Sequence, residues 1–283
     1  LGRMRSLYGD ERVSKQFSKW SGRPVRFARY TSRTLYPGVR SSEKDRKKLR
    51  PIEAFFLANL PDEPGEMDAS SQLYRELKER GKWPAKPDLR AWWGAKGARW
   101  EKRCLTLPND AELITRHEVQ QSAPDILITN YSMLEYMLMR PLERHIFDQT
   151  SKWLKENPTE NFLLVVDEAH LYRGAAGAEV SYLIRRLRDR LDVSAKRFQV
   201  ICTSASFSDA EKAVQFGAQL TGKPESDFVA IEGKLDKKKE SHTGSQRDLF
   251  LLSKLDLGAF YQAESPDEQY ECIEAFLKFR NVV

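Results

Sequence analysis

Leu163-Leu164-Val165-Val166-Asp167-Glu168-Ala169-His170 decides how this chain folds. Four apolar residues run straight into two adjacent carboxylates, and a histidine follows two positions later. A run of this kind suits a buried strand of a parallel sheet. Its acidic end suits the carboxyl edge, where α/β proteins place their ligands. Magnesium prefers oxygen ligands and keeps several of its waters, so one carboxylate at a rigid strand tip suffices to hold it. A second carboxylate beside it can accept a proton from water or orient that water. Asp167 is therefore the candidate for Mg²⁺, held through water. Glu168 is the candidate base in hydrolysis of a nucleoside triphosphate. Strand ends are often acidic, and the two acids alone would be ordinary; the apolar run before them and Ala169-His170 after them single them out.

The next strand along the chain, Phe198 to Thr203, ends in Thr203-Ser204-Ala205-Ser206. Hydroxyls at a neighbouring strand tip are placed to hydrogen-bond His170 or Asp167 and so to pass on the state of a bound nucleotide. Alone this tetrapeptide is an ordinary serine-rich turn, and its position beside the acids gives it weight. Around these strands the pattern alternates. Val25 to Tyr30 reads as a strand and Asp125 to Asn130 as another. Met133, Leu134, Met137 and Leu138 fall at helical spacing, and a further helix covers about 142–155. Val180, Leu183, Ile184, Leu187 and Leu191 form one helical face, Ala210 to Leu220 is helical, and Phe228 to Ile231 reads as a strand. Strand–helix alternation predicts an α/β fold with a parallel sheet between helices.

Residues 41–110 differ in character. The charge run Glu43-Lys44-Asp45-Arg46-Lys47-Lys48 leads to an apolar stretch at 52–60, a polar helix at about 73–80, and four of the six tryptophans, Trp83, Trp92, Trp93 and Trp100. The segment reads as an insertion, its tryptophans forming a small core of their own or a platform on which bases stack. After Gly233 a lysine-rich connection leads to two amphipathic helices near 249–257 and 267–279.

Net charge is +6, from 47 Lys+Arg against 41 Asp+Glu, which permits nucleic-acid contact without requiring it. No apolar stretch approaches the roughly 18 residues of a membrane span. Cys104, Cys202 and Cys272 are far apart and form no CxxC pair, which points to a reducing, cytoplasmic setting. Arg185, Arg186, Arg188 and Arg190 crowd one helix; ion pairs with Glu179 and Asp189 account for them, or contact with a phosphate backbone does. Arg173-Gly174 and Gly177, close behind the acids, would let a nucleic-acid strand approach tightly. His117 has no partner at metal-ligand spacing and reads as structural. Gly217 to Lys223 matches GxxxxGK, yet Pro224 occupies the Ser/Thr position and a helix precedes it, so a helix end capped by Gly222 is the better reading.

Asp167-Glu168-Ala169-His170 resembles motif II of superfamily 2 DEAD/DEAH-box helicases. Ser204-Ala205-Ser206 resembles their motif III, usually Ser-Ala-Thr, and Thr129-Asn130 resembles motif Ib. The longer strings Asp167 to Ala178, Leu183 to Arg188 and Pro124 to Leu134 are similar to Lhr-like and MrfA-like bacterial DNA helicases. Gly22 to Thr31, with the long insertion, resembles the large helicase subunits of bacterial antiphage systems of the Druantia type. The resemblance implies a RecA-like sheet over residues 1–233, with 234–283 a helical extension toward a second RecA-like domain. It implies ATP and Mg²⁺ as ligands, nucleic acid (DNA above all) as partner, and other subunits of a defence or repair complex. It implies that Glu168, Asp167, His170, Ser204 and Ser206 serve hydrolysis and its coupling to movement, and that Thr129, Asn130 and Arg173 touch the tracked strand. No phosphate loop or motifs IV to VI occur in the sequence, so the chain reads as part of a first motor domain with little ATPase activity by itself. The other reading is a non-catalytic module that binds nucleic acid or a partner protein through the tryptophan-rich segment.

Overall fold

Among the described residues every strand ladder is parallel. The structure, a computed structural model, describes residues 1–36, 38–60, 69–205, 207, 209–231, 233, 249–250, 252–253 and 255–279. The chain divides into two compact units, Leu1–Ala230 and Ile231–Val283.

The first unit opens with helices α1 (Gly2–Tyr8) and α2 (Glu11–Ser21). Gly9 ends α1, and Asp10 caps α2 by accepting from the backbone N–H groups of Arg12 and Val13. β1 (Phe27–Arg29) is the centre of a three-stranded sheet, flanked by β2 (Glu112–Leu113) and β3 (Ile126–Ile128). The 82 residues between β1 and β2 hold α3 (Ser42–Phe56), α4 (Ala69–Glu79) and α5 (Leu89–Trp93). The charge run of α3 is solvated except for Asp45, which is buried against Arg40. Trp83, Trp92 and Trp93 are buried with Tyr36, Leu49, Ile52 and Cys104 in a core of their own.

A capping box at Thr115 and Glu118 starts α6 (Arg116–Gln121). Asn130 caps α7 (Tyr131–Met139), and α8 (Arg144–Glu156) follows. β4 (Phe162–Val166) and β5 (Phe198–Cys202) pair in parallel, with α9 (Gly174–Leu191) as the crossover. Val180, Ile184, Leu187 and Leu191 of α9 pack with Phe198, Phe162, Leu164 and Val166 in the main core. A helical stripe and alternate strand positions thus bury each other, as the spacing predicts. α10 (Ala210–Thr221) completes this layer.

Several expectations are corrected. The β4 run is not buried on both faces: Leu163 and Val165 are about half exposed (50% and 54%), as is Ile201 on β5 (49%). The helices cover one face only, and no described residue covers the other. The sheet is two separate ladders rather than one, since β3 and β4 share no ladder. Phe228 to Ile231 is extended but forms no strand; with no neighbouring strand to pair with, Val229 and Ile231 point into solvent. The second unit has helices at Leu257–Gln262 and Pro266–Phe279, so the helix expected at 249–257 ends early and a new one starts at Leu257, capped by Asp256. No helix of the described residues is long and apolar enough to cross a membrane.

Candidate functional site

The register of β4 on β5 sets Val166 beside Cys202, so the next residues, Asp167 and Thr203, leave the sheet side by side. Thr203 braces the turn that carries both acids. Its N–H donates to the Val166 carbonyl at 3.0 Å, and its own carbonyl accepts from the Ala169 N–H at 2.8 Å. Its hydroxyl donates to Asp167 Oδ1 and accepts from the Glu168 N–H at 3.3 Å. Glu168 is held in the left-handed region at φ 49°. For a residue with a Cβ that conformation costs on the order of 1 kcal/mol, which the surrounding bonds must outweigh.

Both acids are exposed, whereas Ala169 is fully buried beneath them. His170 Nδ1 lies 3.3 Å from Glu168 Oε2 and 3.2 Å from Ser204 Oγ, so one imidazole nitrogen joins the second acid to the neighbouring strand tip. Ser206 lies outside the described residues. Among the described residues no three His, Cys, Asp or Glu side chains form a metal cluster. Thr203 is the hydroxyl of the tetrapeptide that reaches Asp167, although the motif resemblance gives a role only to the serines. Its signal was its rank: it is the first hydroxyl beyond β5, level with the first acid beyond β4.

The tips of β1 and β3 form a second group. Thr129 donates its hydroxyl to the Tyr30 carbonyl at 2.7 Å, and Asn130 Oδ1 accepts from the Met133 N–H at 2.8 Å. These bonds fix both residues at the strand end and leave the Asn130 side chain exposed. Beyond β1, Thr31 to Thr34 make a tight turn, in which Thr34 Oγ1 accepts from the Thr31 N–H at 2.9 Å and Arg33 is exposed. The Tyr131 ring meets the Tyr172 ring edge-on at 6.0 Å, so the segments that follow β3 and β4 adjoin. Arg173 is exposed, its guanidinium 5.7 Å from the Phe207 ring.

The arginines of α9 find other partners than expected. Arg190 pairs with Asp148 at 2.6 Å and Arg186 lies 4.0 Å from Glu135, both on neighbouring helices, because these acids face α9 across the packing; only Arg188 pairs with Asp189. His117 is buried with its ring 4.2 Å from Tyr36; burial, and after it the Arg40 guanidinium, push it down to about 4. Gly222 caps α10 at φ 70°, and a Cβ on Gly217 would meet the Phe228 ring at 3.0 Å. The GxxxxGK match is thus a packed helix end.

Residues 70–214 match the DEAD/DEAH box helicase family. The chain belongs to that family. The Druantia protein DruE of Escherichia coli is 41% identical over 97% of this chain, which covers 16% of that protein. An uncharacterized ATP-dependent helicase of Methanocaldococcus jannaschii is 31% identical over 38% of the chain, and the Bacillus subtilis ATP-dependent helicase YprA 33% over 43%. The chain spans about a sixth of these relatives, 15–16% of each. No solved structure matches it. Within the helicase family segment lie both strand tips, β3 with Thr129 and β4 with its acids.

Proposed function

We propose that this chain is part of the first motor domain of an ATP-dependent DNA helicase or translocase. The observation that carries this is the bracket at the ends of β4 and β5: Thr203 on Asp167, and His170 between Glu168 and Ser204. Asp167 would hold hydrated Mg²⁺, with Oδ1 already oriented by Thr203. Bound there, the ion neutralises charge on the phosphates. Glu168 orients the attacking water and takes its proton. His170 and Ser204 carry the change at the acid to β5, and Ser206 would extend that link. Thr129, Asn130 and Arg173 contact the backbone of the tracked strand, held in register by the tips of β3 and α9. Its relative DruE suggests a setting in defence alongside other subunits, inside the cell.

The rival reading, a module that binds nucleic acid or a partner protein through the tryptophan-rich segment, has less support as a stacking platform, since Trp83, Trp92 and Trp93 are at most 5% exposed and Trp100 is partly buried against the same core with the Arg103 guanidinium over its ring. Bases cannot stack on buried rings. The deciding experiment is DNA-stimulated ATP hydrolysis by the full-length gene product. Glu168→Gln should lower turnover by at least about a hundredfold while nucleotide still binds; wild-type turnover in that variant would defeat the assignment. The 283 residues by themselves should hydrolyse ATP barely, because they contain no phosphate loop, whose contacts supply much of the rate. Robust hydrolysis by the isolated chain would overturn that expectation.

A further inference from the structure

A cavity of about 360 Å³ opens between the first turns of α9 and the second half of α10. Phe216 and Leu220 supply apolar walls, Ser181 and Gln219 polar edges, and Tyr172 and Arg173 the mouth. The cavity is within the size range of small-ligand sites, apolar with a few polar groups. Its composition restricts the occupant. Arg173 is the one charged side chain lining it, and no carboxylate does so among the described residues. Such a lining suits a group that is flat and apolar on its faces, polar at its rim, and joined to negative charge near Arg173. A nucleobase on a phosphate backbone has that form.

The surroundings show how such a base would arrive. The Arg173 guanidinium lies over Phe207 at 5.7 Å, and Phe207 meets Phe216 at 5.2 Å, so the mouth and one wall are a connected aromatic–cationic surface. On the other side Tyr172 adjoins Tyr131, next to Asn130 at the tip of β3. Aromatic rings interleaved with cations are how proteins hold single-stranded nucleic acid, through stacking that tolerates any base.

We infer that this cavity receives one unpaired base of the nucleic-acid strand whose backbone passes the tip of β3. The inference rests on the nucleic-acid reading of the Asn130 edge and deepens it: the strand bound here is single, and one of its bases leaves the stack to enter the protein between α9 and α10. Gly177 holds the geometry, because a Cβ there would lie 2.6 Å from the Tyr172 carbonyl oxygen and would push Tyr172 from the mouth.

The test measures binding of the 283-residue chain to two fluorescein-labelled strands of twelve units, oligothymidylate and the same backbone without bases. The wild type should prefer oligothymidylate by roughly tenfold, the size of one stacked base. Ala178→Phe, which fills the cavity from an exposed helix position, should bring oligothymidylate affinity down to that of the baseless strand. Gln219→Ala, a milder change, should lower the preference in part. Equal affinity of the wild type for the two strands, with binding still weakened by salt, overturns the cavity's role and leaves the nucleic-acid reading standing. Absence of binding to either strand overturns both. Should Ala178→Phe instead weaken a fluorescent adenine nucleotide and leave the strand preference intact, the cavity serves the nucleotide and the inference fails.

Discussion

Replacing Lys86 with methionine should unsettle the whole first unit. Lys86 Nζ lies 2.7 Å from Asp110 Oδ2 and 2.8 Å from Glu118 Oε1, and all three side chains are at most 1% exposed. The ammonium also lies 5.0 Å from the centre of the Trp92 ring. Glu118 is otherwise well supplied: Trp92 Nε1 and the Thr106 hydroxyl donate to Oε1, and Ile114 N–H, Thr115 N–H and the Thr115 hydroxyl donate to Oε2. Asp110 is poorer, with the Leu107 N–H on Oδ2 and no described partner on Oδ1. Burial pushes the Asp110 carboxyl above its usual range even with Lys86 beside it. A methionine keeps the side-chain volume and removes the charge, leaving two buried carboxylates without their cation. Breaking a buried pair in this way costs about 3–5 kcal/mol, a large share of a domain's total stability. At a urea slope of about 2–3 kcal/mol per molar, the midpoint should fall by roughly 1–2.5 M. Tryptophan fluorescence reports it directly, since Trp92 belongs to the network. Adding Asp110→Asn to Lys86→Met removes one orphaned charge and should recover more than about 1 kcal/mol, a coupling expected between contacting residues. A single-variant loss below about 1 kcal/mol, or strict additivity in the double variant, refutes the reasoning.

Three further outcomes follow from the geometry. His117 stays neutral in the fold down to about pH 4 against an ordinary value of 6.5; its contribution is complete above pH 6.5 and drains away as pH falls toward 4, on the order of 2–3 kcal/mol. His117→Phe should therefore flatten the acid limb of stability in urea melts at pH 7.5 and 4.5, and an unchanged difference between the two pH values counts against it. Glycine to alanine inside a helix ordinarily stabilises by up to about 1 kcal/mol, but Gly177→Ala should cost about 1–3 kcal/mol, because backbone atoms of Tyr172 stand where the methyl must go; a raised melting temperature would contradict this. Thr203→Val should lower ATP turnover of the full-length protein at least about tenfold, and Thr203→Ser should restore most of it; equal rates for the two would remove Thr203 from the site.

Local pattern carried most of what is legible in the sequence. β4, β5 and α10 begin and end within a residue or two of the reading, because each is marked by its own period and by a cap or a glycine; α9 ends where its apolar face does, at Leu191, but starts six residues before that face, at Gly174. β2 escaped notice because Glu112 looks like a surface residue. It is buried because Arg5, 107 positions earlier, grips it through two nitrogens at 2.7 and 2.8 Å and the Ala85 N–H donates to it at 3.0 Å. The partners of Arg186 and Arg190 were misjudged for the same reason: they lie on other helices. The exposed face of β4 was invisible in a run of four apolar residues, which reads alike whether one face or two are covered. Motif spelling located the acids and the serines. It did not rank Thr203 above Ser204, since that order depends on the register of two strands.

The register also bears on how the acids come to be ready. A ligand could have been what brings Asp167 and Glu168 into place, but the bonds that fix their turn run to Thr203 and Ser204 at the end of β5 or within the turn itself. The pairing of β4 with β5 therefore sets the acids without a ligand, and under the proposed hydrolysis a site prepared in this way would need no reorganisation. The strain at Glu168 points the same way. A left-handed glutamate survives only where its surroundings over-determine it, and here one threonine holds the residues on both sides of it, Asp167 by its hydroxyl and Ala169 by its carbonyl. His170 Nδ1 lies between Glu168 and Ser204, so a shift of the Glu168 carboxylate has a direct route to the end of β5.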